Sequence, residues 1–335
     1  MDPLTQGIVG STVSQSFSKK QDLIIAGIIG FLAGLAPDID IFIRSNIDPL
    51  LFLEYHRQFT HSLLFIPMGS LICALVFYYT FSKRFNFSFI NTYIFSFLGY
   101  ATHGIIDAFT TYGTQLYWPF SSERLAFNTI SVIDPLFTLP VIILSVITII
   151  NKNKQFLYIA IIWMFTYQSI AHFQKNKAES IINDYASSKG HIINSIEAKP
   201  SFANILVWKV IYSDNTHYYI NAVRMTTFHT IFKGESIKKI NVERDFPWLN
   251  PDSQQAKDLQ RFKWFSNDYL AIDKLDNSII YDIRFSAIPN ETEGLWGIKL
   301  DKNKENDEHV KYITNREQSF DKYSVLLKMI FYNEH

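Results

Sequence analysis

This chain has almost no cysteine and no excess of charge of either sign. Its 335 residues include one cysteine, Cys73, inside an apolar run, which excludes a disulfide framework and a cysteine-type zinc finger. Basic and acidic residues balance at 31 each, without a basic block. Because nucleic-acid binding needs a concentration of positive charge, we expect no nucleic-acid partner. Any metal must be held by histidines and carboxylates.

Charge is also scarce in the first half of the chain. Residues 1–173 contain nine of the basic and nine of the acidic residues, and the rest follow later. This contrast predicts a membrane domain over residues 1–178 and a soluble domain over residues 179–335. The amino terminus carries Asp2 and lacks a positive n-region, so it is a poor signal peptide. Insertion would then depend on the hydrophobic spans themselves.

Several apolar runs approach the roughly 20 residues that a bilayer core requires. They are 62–81, 88–109, 133–150 and 155–173. A fifth run, 22–36, is shorter, but with residues 3–17 it could form a helical hairpin that turns at Lys19 and Lys20. The sequence therefore predicts an α-helical polytopic domain of about four to six membrane helices in contact with the lipid bilayer.

The basic residues predict the orientation of these helices. Short basic connections occur at Lys19–Lys20, Lys83–Arg84 and Lys152–Lys154. The positive-inside rule places them in the cytoplasm, so segments 37–61 and 111–132 and everything beyond 173 lie outside. We therefore expect a periplasmic C-terminal domain.

In this topology the ionisable residues at the ends of the apolar runs all fall on the outer side. They are Asp38, Asp40, His56, His61, His103, Asp107, Asp134 and His172. Charge near the membrane core is costly and is usually retained for function. For two of the eight a structural role competes, because His172 could be an interfacial anchor and Asp134 a helix cap.

The spacing of the other six suits a metal site. His103 and Asp107 are four residues apart, so on a helix both side chains leave the same face. Pro37 should end the preceding helix and leave Asp38 and Asp40 in a turn that can face the same centre.

The segment HRQFTHS adds two imidazoles to this set. We expect Thr60 to be the N-cap of a helix that starts at His61, with His56 in the preceding loop, so that both rings can converge. Carboxylates mixed with imidazoles suit zinc, with manganese or iron as alternatives, and one or two ions could bind. Arg57 or Arg124 could neutralise a phosphate, because a guanidinium group matches its oxygens.

Five segments in order carry a family resemblance: MDPLTQGIVG, APDID, HRQFTHSLL, THGIIDAFTTYGTQLYWPFSSER and ISVIDPLF. They resemble the YdjM/YbcI-like family of inner-membrane-associated, metal-dependent hydrolases over about residues 1–175. The resemblance implies a multi-span protein of the bacterial inner membrane. By the family's similarity to zinc-dependent phospholipase C-type enzymes, it also implies a ligand set, which is Asp38, Asp40, His56, His61, His103 and Asp107.

One position departs from the family pattern. Family members usually have Thr-His near the amino terminus, where this chain has Thr5 and Gln6. Glutamine does not replace an imidazole as a ligand of similar strength, so Gln6 supports the site from outside, or one metal fewer binds, or catalysis is impaired. If residues 3–17 form the first leg of a hairpin, Asp2 and Gln6 return to the outer face, which fits the supporting role.

The C-terminal half has strand-like patterns. Residues 279–286 alternate, with Asp282 and Arg284 on the polar face of a half-buried strand. Residues 207–212 and 217–225 predict a hairpin, and 247–268 contain a helical period. We expect a β-rich domain whose tryptophans, Trp208, Trp248, Trp264 and Trp296, belong mainly to its core. The histidines in this half follow no pattern and predict no site; they are His191, His217, His229, His309 and His335.

These features favour a metal-dependent hydrolase that acts on a phosphoester or a lipid-like substrate at the outer face of the membrane. A metal-activated water would attack, with Asp38, Asp40 or Asp107 as general base. The alternative is a scaffold or sensor whose metal is structural. A transporter fits less well, because the polar residues sit at span ends instead of at mid-bilayer. The sequence does not identify its protein partners.

Overall fold

The computed structural model describes residues 1–226, 228–315 and 322–332. Its α-helices are α1 (Pro3–Phe17), α2 (Leu23–Leu35), α3 (Leu51–Tyr55), α4 (Ile66–Thr80), α5 (Phe89–Phe109), α6 (Pro135–Asn151), α7 (Gln155–Ser188), α8 (Val242–Asp245), α9 (Gln254–Phe265) and α10 (Tyr323–Phe331). Its strands are β1 (Ser195–Pro200), β2 (Val207–Ser213), β3 (His217–Arg224), β4 (Thr230–Phe232), β5 (Ser236–Lys238), β6 (Leu270–Ile272), β7 (Ile279–Asp282), β8 (Trp296–Lys299) and β9 (Lys311–Thr314).

The chain divides into two compact units. The first comprises Met1–Phe42, Tyr55–Phe173 and Phe202–Asn204, and the second comprises Ile43–Glu54, Gln174–Ser201 and Ile205–His335. The predicted fold class, a helical membrane region followed by a β-rich domain, is confirmed. Segment Ile43–Glu54 groups with the C-terminal residues, although the sequence pattern placed it in the domain 1–178.

Three helical segments in the described ranges are long and apolar enough to cross a membrane, fewer than the four to six predicted. They are Lys20–Phe42, Leu63–Thr80 and Gln155–Ser188. The run 22–36 gains length because 3₁₀ turns extend α2 at both ends. The predicted span 133–150 forms the apolar helix α6, which has only 17 residues.

Helix α5 was also predicted to span the membrane, but it is not one of these three segments. Its polar residues lower its hydropathy below that of the three. Its buried face includes Thr92, Ser96, His103 and Asp107. Ile90 and Ile94, on its other side, are exposed. A helix with polar groups inside and apolar groups outside suits a lipid environment in which the polar groups find partners within the protein.

Helices α1 and α2 form the predicted hairpin, with the turn at Lys19 and Lys20. Small residues let these helices approach α5 closely. A Cβ atom added to Gly99 of α5 would lie 2.3 Å from the carbonyl oxygen of Gly30 in α2. Backbone contact of this kind is typical of helix packing in membranes. It brings the carboxyl ends of α2 and α5 to the same place, where the polar cluster lies.

The second unit contains two antiparallel sheets. Strands β1–β4 follow in order, with β5 also pairing with β3, and strands β6–β9 form the other sheet in sequence order. The predicted hairpin is present, because β2 and β3 pair with Ser213 opposite Tyr218. The predicted helical segment contains α9, which begins after its N-cap Ser253. Trp208 and Trp296 are buried as expected, whereas Trp264 is 36% exposed and Trp248 is partly buried.

The predicted half-buried strand over residues 279–286 is wrong in two respects. Strand β7 ends at Asp282, and the expected polar face is not exposed, since Asp282 and Arg284 are both buried. The Arg284 side chain donates to both carboxylate oxygens of Asp282 and to the carbonyl oxygen of Phe265. Paired and hydrogen-bonded charges can be buried, which a two-residue alternation does not reveal.

Candidate metal centre

Four side chains converge at the carboxyl ends of α2 and α5. The ligand atoms of Asp38, His61, His103 and Asp107 all lie within 4.8 Å of one another. The two imidazole Nε2 atoms are 2.9 Å apart. Asp38 Oδ1 lies 3.4 Å from the Nε2 of His61 and 3.3 Å from that of His103. Asp107 Oδ2 lies 3.4 and 3.8 Å from the same two atoms.

Local structure places each of these side chains. Helix α2 ends at Leu35, and a 3₁₀ helix over Ala36–Phe42 carries Asp38 and Asp40, as the proline predicted. His103 and Asp107 lie one turn apart on α5. The predicted N-cap is wrong: Thr60 lies within the 3₁₀ turn Phe59–His61, and Ser62 caps the next turn by accepting from the Phe65 N–H.

Each imidazole of the centre is held by its other nitrogen. His103 Nδ1 lies 2.6 Å from the carbonyl oxygen of Gly34. His61 Nδ1 lies 3.2 Å from Asp40 Oδ2 and 2.9 Å from Thr60 Oγ1, whose hydroxyl donates to Asp40. A carbonyl or carboxylate oxygen can only accept, so in the neutral rings Nδ1 carries the proton and Nε2 offers its lone pair. Metal-binding histidines are commonly fixed in this way.

The spacing of the donor atoms fits a bound ion. A tetrahedral ion with bonds of about 2.0–2.1 Å holds its ligand atoms about 3.3 Å apart. The five separations given above run from 2.9 to 3.8 Å. Asp107 Oδ2 is buried and accepts no well-aligned hydrogen bond from the described residues, although Arg57 Nε lies 3.0 Å away. Asp107 therefore offers the centre an anionic oxygen that is paired with Arg57 but accepts no well-aligned hydrogen bond from the described residues.

The charge of the cluster favours a cation. Burial alone would lower the pKa of His61, but the neighbouring carboxylates of Asp107, Asp38 and Asp40 raise it to about 10. The three carboxylates around this ring therefore attract positive charge, which a divalent ion would supply in place of the proton.

Asp40 and His56, both predicted as ligands, lie beside the four. Asp40 Oδ2 accepts from the Arg57 backbone N–H at 3.0 Å and from Thr60 Oγ1 at 2.7 Å. Its Oδ1 lies 2.7 Å from His56 Nδ1. Asp38, Asp40 and His56 also form a group with ligand atoms within 4.8 Å. Asp40 therefore contacts both His61 and His56, and it belongs with Asp38 and His56 to a second group beside the four-atom centre.

The two arginines proposed to bind phosphate make contacts within the protein. Arg57 adopts a positive φ of 65°, lies beside Asp107 and donates to Thr110 Oγ1 at 2.8 Å. Arg124 donates to the backbone carbonyl oxygens of His56 and Gly113. Both side chains are buried. Their positions support Asp107 and the backbone around His56.

Of the remaining predicted residues, Gln6 contacts a carboxylate of the centre, Asp2 and Asp134 cap helices, and His172 lies apart. Gln6 Nε2 donates to Asp107 Oδ1 at 2.7 Å, and the Met1 amino group contacts the same oxygen. Asp2 caps α1 and Asp134 caps α6, where it also accepts from Tyr167. His172 is exposed on α7 and belongs to none of the described groups that could hold a metal.

A third group of side chains of the metal-ligand type lies in the second unit, and no sequence pattern predicted it. Asp48, Asp258 and His309 have ligand atoms within 4.8 Å of one another. The guanidinium of Arg261 already pairs with Asp48 at 2.7 Å and with Asp258 at 2.9 Å. This group is therefore an ion-pair network that fixes segment Ile43–Glu54 to α9. His335 lies outside the described residues.

Comparison with known proteins finds a family match in the N-terminal part of the chain. The family described as "YdjM inner membrane protein" matches residues 1–178, about half of the chain. The chain is also 32% identical over 111 residues to the Bacillus subtilis (strain 168) protein named "Uncharacterized protein YfhP". That stretch is 33% of each protein, so the chain spans about a third of this relative. No solved structure matches. All of the residues that form the four-atom centre fall in the matched region, and the chain belongs to the YdjM inner membrane protein family.

Proposed function

We propose that this chain is a metal-dependent hydrolase of the bacterial inner membrane that acts on a phosphoester or lipid-like substrate. The observation that carries the proposal is the convergence of Asp38, His61, His103 and Asp107, with the Nδ1 atom of each imidazole beside an oxygen atom that fixes the ring. Zinc suits this donor set, with manganese and iron as alternatives. A divalent ion there would act as a Lewis acid and make water a stronger nucleophile.

Access to the centre supports a catalytic role. His61, His103 and Asp107 are fully buried, whereas the Asp38 side chain is 23% exposed. A substrate would therefore approach from the side of Asp38. Of the three carboxylates predicted as general bases, Asp38 is the one open to that side, since Asp40 and Asp107 are occupied by Thr60 and by Gln6 and Arg57.

One observation favours a second candidate, a non-catalytic scaffold or sensor. Four protein donors are enough to close the tetrahedral sphere of zinc, as in structural sites, whereas catalytic sites keep a position open. Both a hydrolase and a scaffold would bind metal, but only the hydrolase would turn over a substrate. An assay of turnover on the metal-loaded protein separates them.

We expect the detergent-purified protein to hydrolyse bis(p-nitrophenyl) phosphate or phosphatidic acid in mixed micelles when loaded with zinc or manganese. Chelation should abolish the activity and added metal should restore it. The Asp38→Asn variant should lose about 100-fold or more of kcat, because it removes one of the four donor groups that would hold the ion. Bound metal without turnover of phosphoester or carboxylic ester substrates would favour the scaffold.

We propose further that the protein is multi-pass and that the centre faces the periplasm, with the C-terminal domain on the same side. The basic connections at Lys19–Lys20, Lys83–Arg84 and Lys152–Lys154 support this orientation. Alkaline phosphatase fused after residue 84 should be inactive, and fusions after 120 and 180 should be active. A cytoplasmic reporter should give the reverse pattern. Activity at 84 together with inactivity at 180 would reverse the orientation.

A further inference from the structure

His56 has the contacts of a proton-transfer group more than those of a metal ligand. Its Nδ1 lies 2.7 Å from Asp40 Oδ1, and its side chain is about a third exposed. Its Nε2 makes no hydrogen bond within the described parts of the chain. The ring is therefore held at one nitrogen and open at the other, beside the centre.

Asp40 is itself immobilised. The Arg57 backbone N–H and the Thr60 hydroxyl both donate to its Oδ2, which leaves Oδ1 for His56. Arg124 donates to the His56 carbonyl oxygen at 3.3 Å and so restrains the backbone that carries the ring. A fixed carboxylate that accepts from Nδ1–H presents Nε2 as a proton acceptor and stabilises the imidazolium that forms.

The short contact argues against an ion shared between these two side chains. The separation of 2.7 Å between His56 Nδ1 and Asp40 Oδ1 is a normal length for a charge-assisted hydrogen bond. Ligand atoms around a tetrahedral ion are about 3.3 Å apart, and four of the five separations in the neighbouring centre are 3.3 Å or more. The pair would have to separate to admit a metal.

We propose that His56 Nε2 accepts a proton from the water that attacks the phosphoester, and that Asp40 is the positioning residue of this pair. The proposal rests on the hydrolase function proposed above. The water oxygen forms a bond to phosphorus as the bond to the leaving oxygen breaks. One water proton passes to His56 and the other stays on the product. The leaving oxygen departs with the electron pair and takes a proton from solvent, and the exposed imidazolium returns its proton to solvent.

The test compares His56→Ala with His61→Ala in the full-length, detergent-purified protein. Elemental analysis should find the parent's metal content in His56→Ala and a loss of metal in His61→Ala, since only His61 belongs to the four-atom centre. In His56→Ala, kcat should fall by about 10²- to 10⁴-fold at nearly constant KM. Imidazole added to the buffer should restore part of that kcat, because the position is open to solvent, whereas a purely structural role would give no such rescue.

Each other outcome overturns a different statement. If His56→Ala loses an ion, His56 is a ligand with Asp38 and Asp40, and the proton-transfer role is wrong. If His56→Ala retains both metal and kcat, or loses kcat without imidazole rescue, the role is also wrong while the hydrolase function stands. A metal-loaded parent that hydrolyses neither bis(p-nitrophenyl) phosphate nor phosphatidic acid contradicts the proposed hydrolase function, and the role of His56 with it.

Discussion

Replacing His103 by alanine is expected to abolish stoichiometric metal binding. Its Nε2 is one of the four donor atoms, and the carbonyl oxygen of Gly34 holds the ring in position. Loss of a group that merely orients a ligand costs about 10–100-fold in affinity, and loss of the ligand itself should cost more. The measurement is elemental analysis together with titration of the apo-protein in detergent.

A matched control exists on α7. His172 is exposed and lies in none of the ligand groups, so His172→Ala should bind metal as the parent does. Alanine is a strong helix former, so both variants should keep the helical circular dichroism signal of the parent. Unchanged metal content in the His103 variant would remove His103 from the site.

The sequence alone predicted much of the neighbourhood of the candidate metal centre. The spacing of His103 and Asp107, the proline before Asp38 and the apolar runs between them predicted the neighbourhood, because helix periodicity and chain breaks are local properties. Helix periodicity and chain breaks did not predict which of the six predicted ligands fall in the four-atom centre. Asp40 accepts from the Arg57 backbone N–H, at a positive φ, and from Thr60, and no local pattern predicts either contact.

Other features depended on contacts that no local pattern contains. The carbonyl of Gly34 that fixes His103 is a backbone atom, so residue type gives no signal for it. The ion-pair network of Asp48, Arg261 and His309 joins residues that are more than 200 positions apart in the chain. The buried Asp282–Arg284 pair looked like an exposed polar face, because charge pairing and burial are decided by the tertiary fold.

The second large effect is expected from a residue with no side chain, Gly104 of α5. A Cβ atom added there would lie 2.2 Å from the carbonyl oxygen of His61 and 3.3 Å from Leu116 Cδ2. Real Cβ atoms do not approach backbone oxygen so closely, so in Gly104→Ala the backbone of His61 must move away from α5. The His61 imidazole is attached to this part of the backbone, in the 3₁₀ turn Phe59–His61. The movement therefore carries the ring away from His103.

Gly104→Ala should therefore lower both stability and metal affinity while all four ligands remain. Alanine in a helix interior is otherwise favoured over glycine by about 1 kcal/mol, so a loss of stability would have the opposite sign to helix propensity. We expect a loss of about 1–3 kcal/mol, seen as a lower melting temperature in detergent. Ile105→Ala, at the exposed neighbouring position, is the control and should bind metal normally. A Gly104→Ala protein with the parent's melting temperature and metal affinity would mean that α5 is not in close contact with the His61 backbone. The close approach that places the two imidazole Nε2 atoms 2.9 Å apart would then be wrong.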